Sequence, residues 1–168
     1  MSRIILFAVC TLLIAACDSG EPAKDTLLEK EVPQVTNLAG KVADEERTIT
    51  IYKSVTCGCC SKWADHLEKN GFRVALHDTE ALGEIKSKYG VPDNMRACHT
   101  ATIDEYIIEG HVPASDIDEL LKIKPPQRIL AVPGMPFGSP GMEHPNKSTP
   151  YDSLLIGQDG SVTVFERH

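Results

Sequence analysis

TITIYKSVTCGCCSKWADHLEKNG, residues 48–71, changes its hydrophobic period in the middle. Ile49 and Ile51 alternate with Thr48 and Thr50, the two-residue repeat of a strand with one buried face. Beyond the cysteines, Trp63 and Leu67 stand four apart and Asn70-Gly71 supplies a stop, so the spacing predicts a helix. Cys57, Cys59 and Cys60 therefore fall where a strand becomes a helix. Thiols packed so closely suit a redox pair, a metal clamp, or both.

Outward from this junction, FRVALHD (72–78) alternates as a second strand. TEALGEIKSKYGVP (79–92) places Leu82, Ile85 and Tyr89 on one helical face, closed by Gly90 and Pro92. HTATID and YIIEGHV flank Asp104-Glu105 as a hairpin. PASDIDELLKI (113–123) predicts a third helix, begun at Ser115 or Asp116 and ended before Pro125-Pro126. The order β-α-β-α-β-β-α, with Cys57-Gly58-Cys59-Cys60 where the first strand meets the first helix, resembles the thioredoxin-like fold. The resemblance implies an α/β domain, a thioredoxin-like sheet with flanking helices, whose third strand is preceded by a loop facing the cysteines. Here that loop is RACHT (96–100), which would bring Cys98 and His99 to the site. Downstream, the Pro and Gly density of ILAVPGMPFGSPGMEHPNKSTP excludes a long helix and predicts a C-terminal loop. YDSLLIG and SVTVFER, around Gln158-Asp159-Gly160, predict a β-hairpin.

At the other end, residues 1–16 read as an export signal, with one Arg before an apolar run too short to span a bilayer. Ile14-Ala15-Ala16-Cys17 resembles the bacterial lipobox, which implies lipidation at Cys17. Asp18 resembles the signal that retains lipoproteins on the inner membrane. Residues 17–47, charged and poor in aromatics, read as a flexible tether, and 48–168 as one domain long enough to bury a core. The expected location is the periplasmic side of a bacterial inner membrane. A net charge of -7 with no basic stripe excludes nucleic acid as a partner, and electrostatic docking on anionic lipid as well. Of the six cysteines, Cys10 falls in the signal and Cys17 on the lipid, which leaves Cys57, Cys59, Cys60 and Cys98. In an oxidising compartment, clustered unpaired thiols are redox-active or metal-bound.

Two chemistries compete for them. In the redox reading, a helix N-terminus stabilises a thiolate, making Cys57 the exposed nucleophile and Cys60 the resolving thiol. Against turnover, the chain has Thr56 and Cys98-His99-Thr100 where oxidoreductases of that fold carry an aromatic residue and a cis-proline. In the metal reading, thiolate, imidazole and thioether form the soft donor set that suits Cu(I). Cys57, Cys60 and Cys98 supply thiolates, and the turns Pro133-Gly134-Met135 and Pro140-Gly141-Met142 present Met135 and Met142. Cys59 points elsewhere unless its loop bends, so it is a secondary candidate, as are His99 and His111, the latter as ligand or outer-shell group. His66 and His77 read as surface or packing histidines, and His168 as solvent exposed. A structural zinc module, indifferent to the methionines, is a third reading.

YKSVTCGCCSKWADHLEKNGFRV, YGVPDNMRACHTATIDEYIIEGHVP and LAVPGMPFGSPGME, followed by PYDSLLI, together resemble the bacterial family catalogued as domain of unknown function 411. That thioredoxin-like group is associated with copper handling and resistance. The resemblance implies an exported protein that binds copper or another soft metal, with Cys57, Cys60, Cys98, Met135 and Met142 in the matching motifs. The expected role is to buffer Cu(I) or pass it to a copper exporter or cuproprotein, without enzymatic turnover. A membrane-anchored thiol-disulfide oxidoreductase using Cys57 and Cys60 is the alternative.

Overall fold

The computed structural model describes residues 47–168. The expected export signal 1–16, Cys17 and the tether as far as residue 46 lie outside the described residues. β1 (Thr48–Lys53) leads through the cysteine loop into α1 (Gly58–Lys69), and β2 (Arg73–Asp78) returns parallel to β1. α2 (Leu82–Lys88) and a 3-10 turn (Asp93–Met95) precede the hairpin of β3 (His99–Ile103) and β4 (Tyr106–Gly110). α3 (Ala114–Ile123) then connects β4 to a parallel β5 (Ile129–Val132), and β6 (Asp152–Ile156) and β7 (Val162–Arg167) close the sheet antiparallel. The strand order is β2-β1-β3-β4-β5-β6-β7.

Because side chains alternate across a pleated sheet, register assigns each residue to a face. Ile51, Ala101, Ile108, Leu130 and Leu155 are successive cross-strand partners, so they share one face. Trp63 and Leu67 of α1 and Ile117 and Leu120 of α3 are buried in the same cluster. Full burial of each such side chain contributes about 1.5–3 kcal/mol. Trp63 also donates its indole N–H to the Val112 carbonyl at 2.8 Å, so its one polar atom is satisfied. His99 pairs with Lys53 in the β1–β3 register and falls on this α1-covered face. Its ring lies 4.3 Å from that of Trp63.

The structure departs from the sequence reading at three places. ILAV, read as part of the Pro/Gly-rich segment, is the buried strand β5. Its residues carry no alternation because a strand paired on both edges and covered on both faces has no polar side. α3 begins at Ala114, with Pro113 as its N-cap, and not at Ser115 or Asp116. Ser115 donates to Asp116 Oδ1, and the free Ala114 amide is capped instead by Nε2 of His66, 3.1 Å away on α1. His168 is not merely solvent exposed: its Nε2 lies 2.9 Å from Oδ2 of the buried Asp116, and its ring stacks on Tyr151.

On the opposite face, Thr100 and Glu109 are cross-strand partners, and Lys86 reaches them from α2. Glu109 is fully buried, yet both carboxylate oxygens are used. Oε1 accepts from Lys86 Nζ at 2.5 Å and from the Ala97 amide at 2.6 Å, and Oε2 accepts from Thr100 Oγ1 at 2.7 Å. The Ala97 bond fixes the loop carrying Cys98. Replacing Glu109 alone leaves a buried ammonium and a bare amide, so Glu109→Ala is expected to lower stability by about 3–5 kcal/mol. Lys86→Met/Glu109→Leu should recover much of that loss in chemical denaturation, since an apolar pair abandons no charge.

Candidate metal centre

Cys57 is the N-cap of α1, and Gly58, Cys59 and Cys60 form its first turn. No acidic side chain occupies that turn, so its unpaired amides and the positive end of the helix dipole favour negative charge there. A turn bond from the Cys57 amide to the Ser54 carbonyl, 3.0 Å, bends the chain from β1 into the helix. Cys57 and Cys60 are joined by a disulfide, while Cys59 and Cys98 are free thiols. Cys60 is buried, whereas Cys57, Cys59 and Cys98 retain partial access.

The loop expected to face the cysteines does so. Cys59 Sγ lies 3.6 Å from Cys57 Sγ and 3.9 Å from Cys98 Sγ, and Cys60 Sγ is 3.7 Å from the Cys98 carbonyl oxygen. Cys59, on the first turn of α1, thus lies between Cys57 and Cys98, a position that sequence spacing left open. On the other side, Cys98 Sγ meets His99 Nδ1 at 3.3 Å and His111 Nε2 at 3.1 Å. Two groups of potential ligand atoms consequently converge, Cys57/Cys59/Cys60/Cys98 and Cys98/His99/His111, each within 4.8 Å. Cys98 belongs to both.

His111 is aimed by its surroundings. Gly110, at φ +74°, turns the chain after β4 where a Cβ would strike the Val132 carbonyl oxygen and Ala97 Cβ. His111 Nδ1 lies 2.7 Å from the Pro140 carbonyl, which only accepts, so Nδ1 carries the proton and Nε2 presents its lone pair to Cys98. The turn that supplies this carbonyl is pressed against α1: at Gly141, φ +83°, a Cβ would come within 2.8 Å of the Cys59 carbonyl oxygen and 2.9 Å of the Trp63 nitrogen. Glu143 Oε1 holds the same turn by accepting from the Gly141 amide at 2.9 Å.

Burial sets the protonation states. It pushes the Cys98 thiol up to about 12, and the adjacent Cys59 sulfur adds to the effect. Desolvation holds His111 below its ordinary value and His99 well below, with His111 and Lys86 adding to the fall of His99. Both imidazoles are therefore neutral near pH 7 and offer lone pairs, while Cys98 keeps its proton until something displaces it. His99 Nε2 is buried and has no hydrogen-bond partner among the described residues.

The remaining candidates separate by position. Met142 is half-buried and follows Gly141, so its turn touches the cysteine helix. Met135 lies just after β5 and is 53% exposed. His77 stacks on Tyr52 on β2, and the exposed His144 stands edge-on to Phe137 in the loop. Sequence reasoning missed the support beneath Cys98. Its signal was Glu109, a lone carboxylate in the apolar run YIIEG, which required a buried cationic partner.

The family described as protein of unknown function, DUF411, matches residues 95–142, which contain Cys98, His99, His111 and both Pro-Gly-Met turns. Two solved structures of the copper resistance protein copG, Form 1 and Form 2, are similar to this chain. Each is 40% identical and superposes with a TM-score of 0.69, covering 72% of this chain. The match spans 97% of the Form 2 chain and 96% of the Form 1 chain. No curated protein matches.

The neutral histidines predict acid sensitivity. A group whose folded pKa is depressed adds stability above its unfolded pKa and loses it as pH falls toward the folded value. Between about pH 7.5 and 5.5 the metal-free chain should lose stability, at a limiting slope of about 1.4 kcal/mol per pH unit for each imidazole. Urea midpoints read this directly, and His99→Gln should flatten the dependence; an equally steep wild-type and variant profile would contradict it.

Proposed function

The chain belongs to the DUF411 family, and from that premise we propose that it binds copper as Cu(I) and buffers or transfers it. One observation carries the reading: two free thiols and a neutral imidazole, Cys59, Cys98 and His111, converge with a lone pair aimed by the Pro140 carbonyl. Thiolate and imidazole are soft and borderline donors that suit Cu(I). Reduction of the Cys57–Cys60 disulfide would release two further thiols at the positive end of α1. His99 adds a nitrogen beside Cys98, and Met142 and Met135 add neutral thioethers that cover the metal without further charge.

In this reading the domain is thioredoxin-like, which the cysteines between β1 and α1 and the element order β-α-β-α-β-β-α support. Cys17 anchors it by lipid on the periplasmic side of the inner membrane. The cargo passes to a copper exporter or cuproprotein by thiolate exchange at the partly exposed Cys57 or Cys59. The disulfide favours a second reading, a thiol-disulfide oxidoreductase in which Cys57 and Cys60 cycle.

Anaerobic titration of the reduced full chain with Cu(I) against a competing chelator tests the carrier. Cys98→Ser should weaken binding by more than the roughly 10–100-fold that loss of an outer-shell partner costs. Met135→Leu/Met142→Leu should weaken binding and leave disulfide exchange unchanged. Equal affinity in Cys98→Ser and wild type, with a reversible Cys57–Cys60 disulfide, would transfer the assignment to the oxidoreductase.

A further inference from the structure

The disulfide and the two free thiols form a continuous row. Cys57 Sγ is bonded to Cys60 Sγ, Cys59 Sγ touches Cys57 Sγ at 3.6 Å, and Cys98 Sγ touches Cys59 Sγ at 3.9 Å. These are near van der Waals separations, so a thiolate at Cys59 or Cys98 stands in contact with its neighbour's sulfur. Thiol-disulfide exchange needs only an attacking thiolate in contact with a disulfide sulfur and a second thiol to leave. We propose that Cys59 and Cys98 complete a relay along which one disulfide migrates from Cys57–Cys60 to Cys59–Cys98. The proposal rests on the redox-pair reading of Cys57 and Cys60 and does not require bound metal.

The steps balance without an external oxidant or reductant. In the first, Cys59 releases its proton to solvent and attacks Cys57 Sγ. The Cys57–Cys60 bond breaks, its electron pair leaves on Cys60 Sγ, and Cys60 takes up a proton. In the second, Cys98 releases its proton to solvent and attacks Cys59 Sγ, 3.9 Å away. The Cys57–Cys59 bond breaks, and Cys57 leaves with the electron pair and takes up a proton. One disulfide and two thiols are present at the start and at the end.

The migration changes which sulfurs are available. With Cys57–Cys60 closed, Cys59 and Cys98 are free beside His111; with Cys59–Cys98 closed, the free thiols are Cys57 and Cys60 on the first turn of α1. Cys57 is the partly exposed member of its pair and Cys60 is buried, so oxidation is received at Cys57 and passes to Cys59 and Cys98, both partly exposed. Cys59 is the exchanging residue on which the transfer depends.

The full chain, stripped of metal and reduced, is treated with equimolar diamide and held at about pH 8. Samples are alkylated with iodoacetamide at intervals and digested with trypsin. Migration appears as a cross-link between the peptides 54–62 and 97–122, growing after the diamide is consumed, at a rate independent of protein concentration. Cys59→Ser should abolish it and leave Cys98 fully alkylated. A cross-link that is absent, fixed from the first sample, faster at higher protein concentration, or undiminished in Cys59→Ser would overturn the relay. A chain in which Cys57–Cys60 never closes would overturn the redox pair and the relay together. Closure without migration overturns the relay alone.

Discussion

Three donors converge on the carboxylate of Glu109, and much of the site depends on that convergence. A buried charge is tolerable only when paired and hydrogen-bonded. Lys86, Thr100 and the Ala97 amide together meet that requirement, from α2, β3 and the loop before β3. The Ala97 bond ties the backbone beside Cys98 to the sheet, and Gly110, crowded by Ala97 and Val132, carries the chain from Glu109 to His111. One polar cluster on one face thereby places the thiol and the imidazole that meet on the other.

The site has two electrostatic halves. Cys57, Cys59 and Cys60 sit on an uncapped helix start that favours negative charge, while Cys98, His99 and His111 lie in desolvated surroundings that favour neutral forms. For the proposed copper cargo this asymmetry couples binding to proton release, because a thiol held protonated by burial must give up its proton to the metal's arrival. Neutral imidazoles need no such exchange. The Pro140–Met142 turn, pressed against α1 at Gly141, shields that half from water.

Local chemistry was legible where it repeats. The alternation of Ile49 and Ile51, the Trp63–Leu67 spacing and the turn at Asp104-Glu105 placed β1, α1 and the β3–β4 hairpin within about two residues of where they stand. The encounter of Cys98 with the helix cysteines was legible only through the fold resemblance, since 38 positions separate Cys98 from Cys60. What lay hidden was tertiary. ILAV has no periodicity to read, His66 caps a helix 48 positions away, and Cys59 meets a thiol 39 positions away. No local pattern encodes such contacts, although the lone Glu109 among apolar residues indicated that some buried partner was required.

X-ray absorption at the copper edge of the Cu(I)-loaded, reduced full chain addresses the central claim most directly. The account predicts a first shell dominated by sulfur, with a histidine nitrogen contribution, that loses sulfur scattering in Cys98→Ser and nitrogen scattering in His111→Gln. A shell of nitrogen and oxygen alone, or one unchanged by both substitutions, would contradict it and remove Cys98 and His111 from the site.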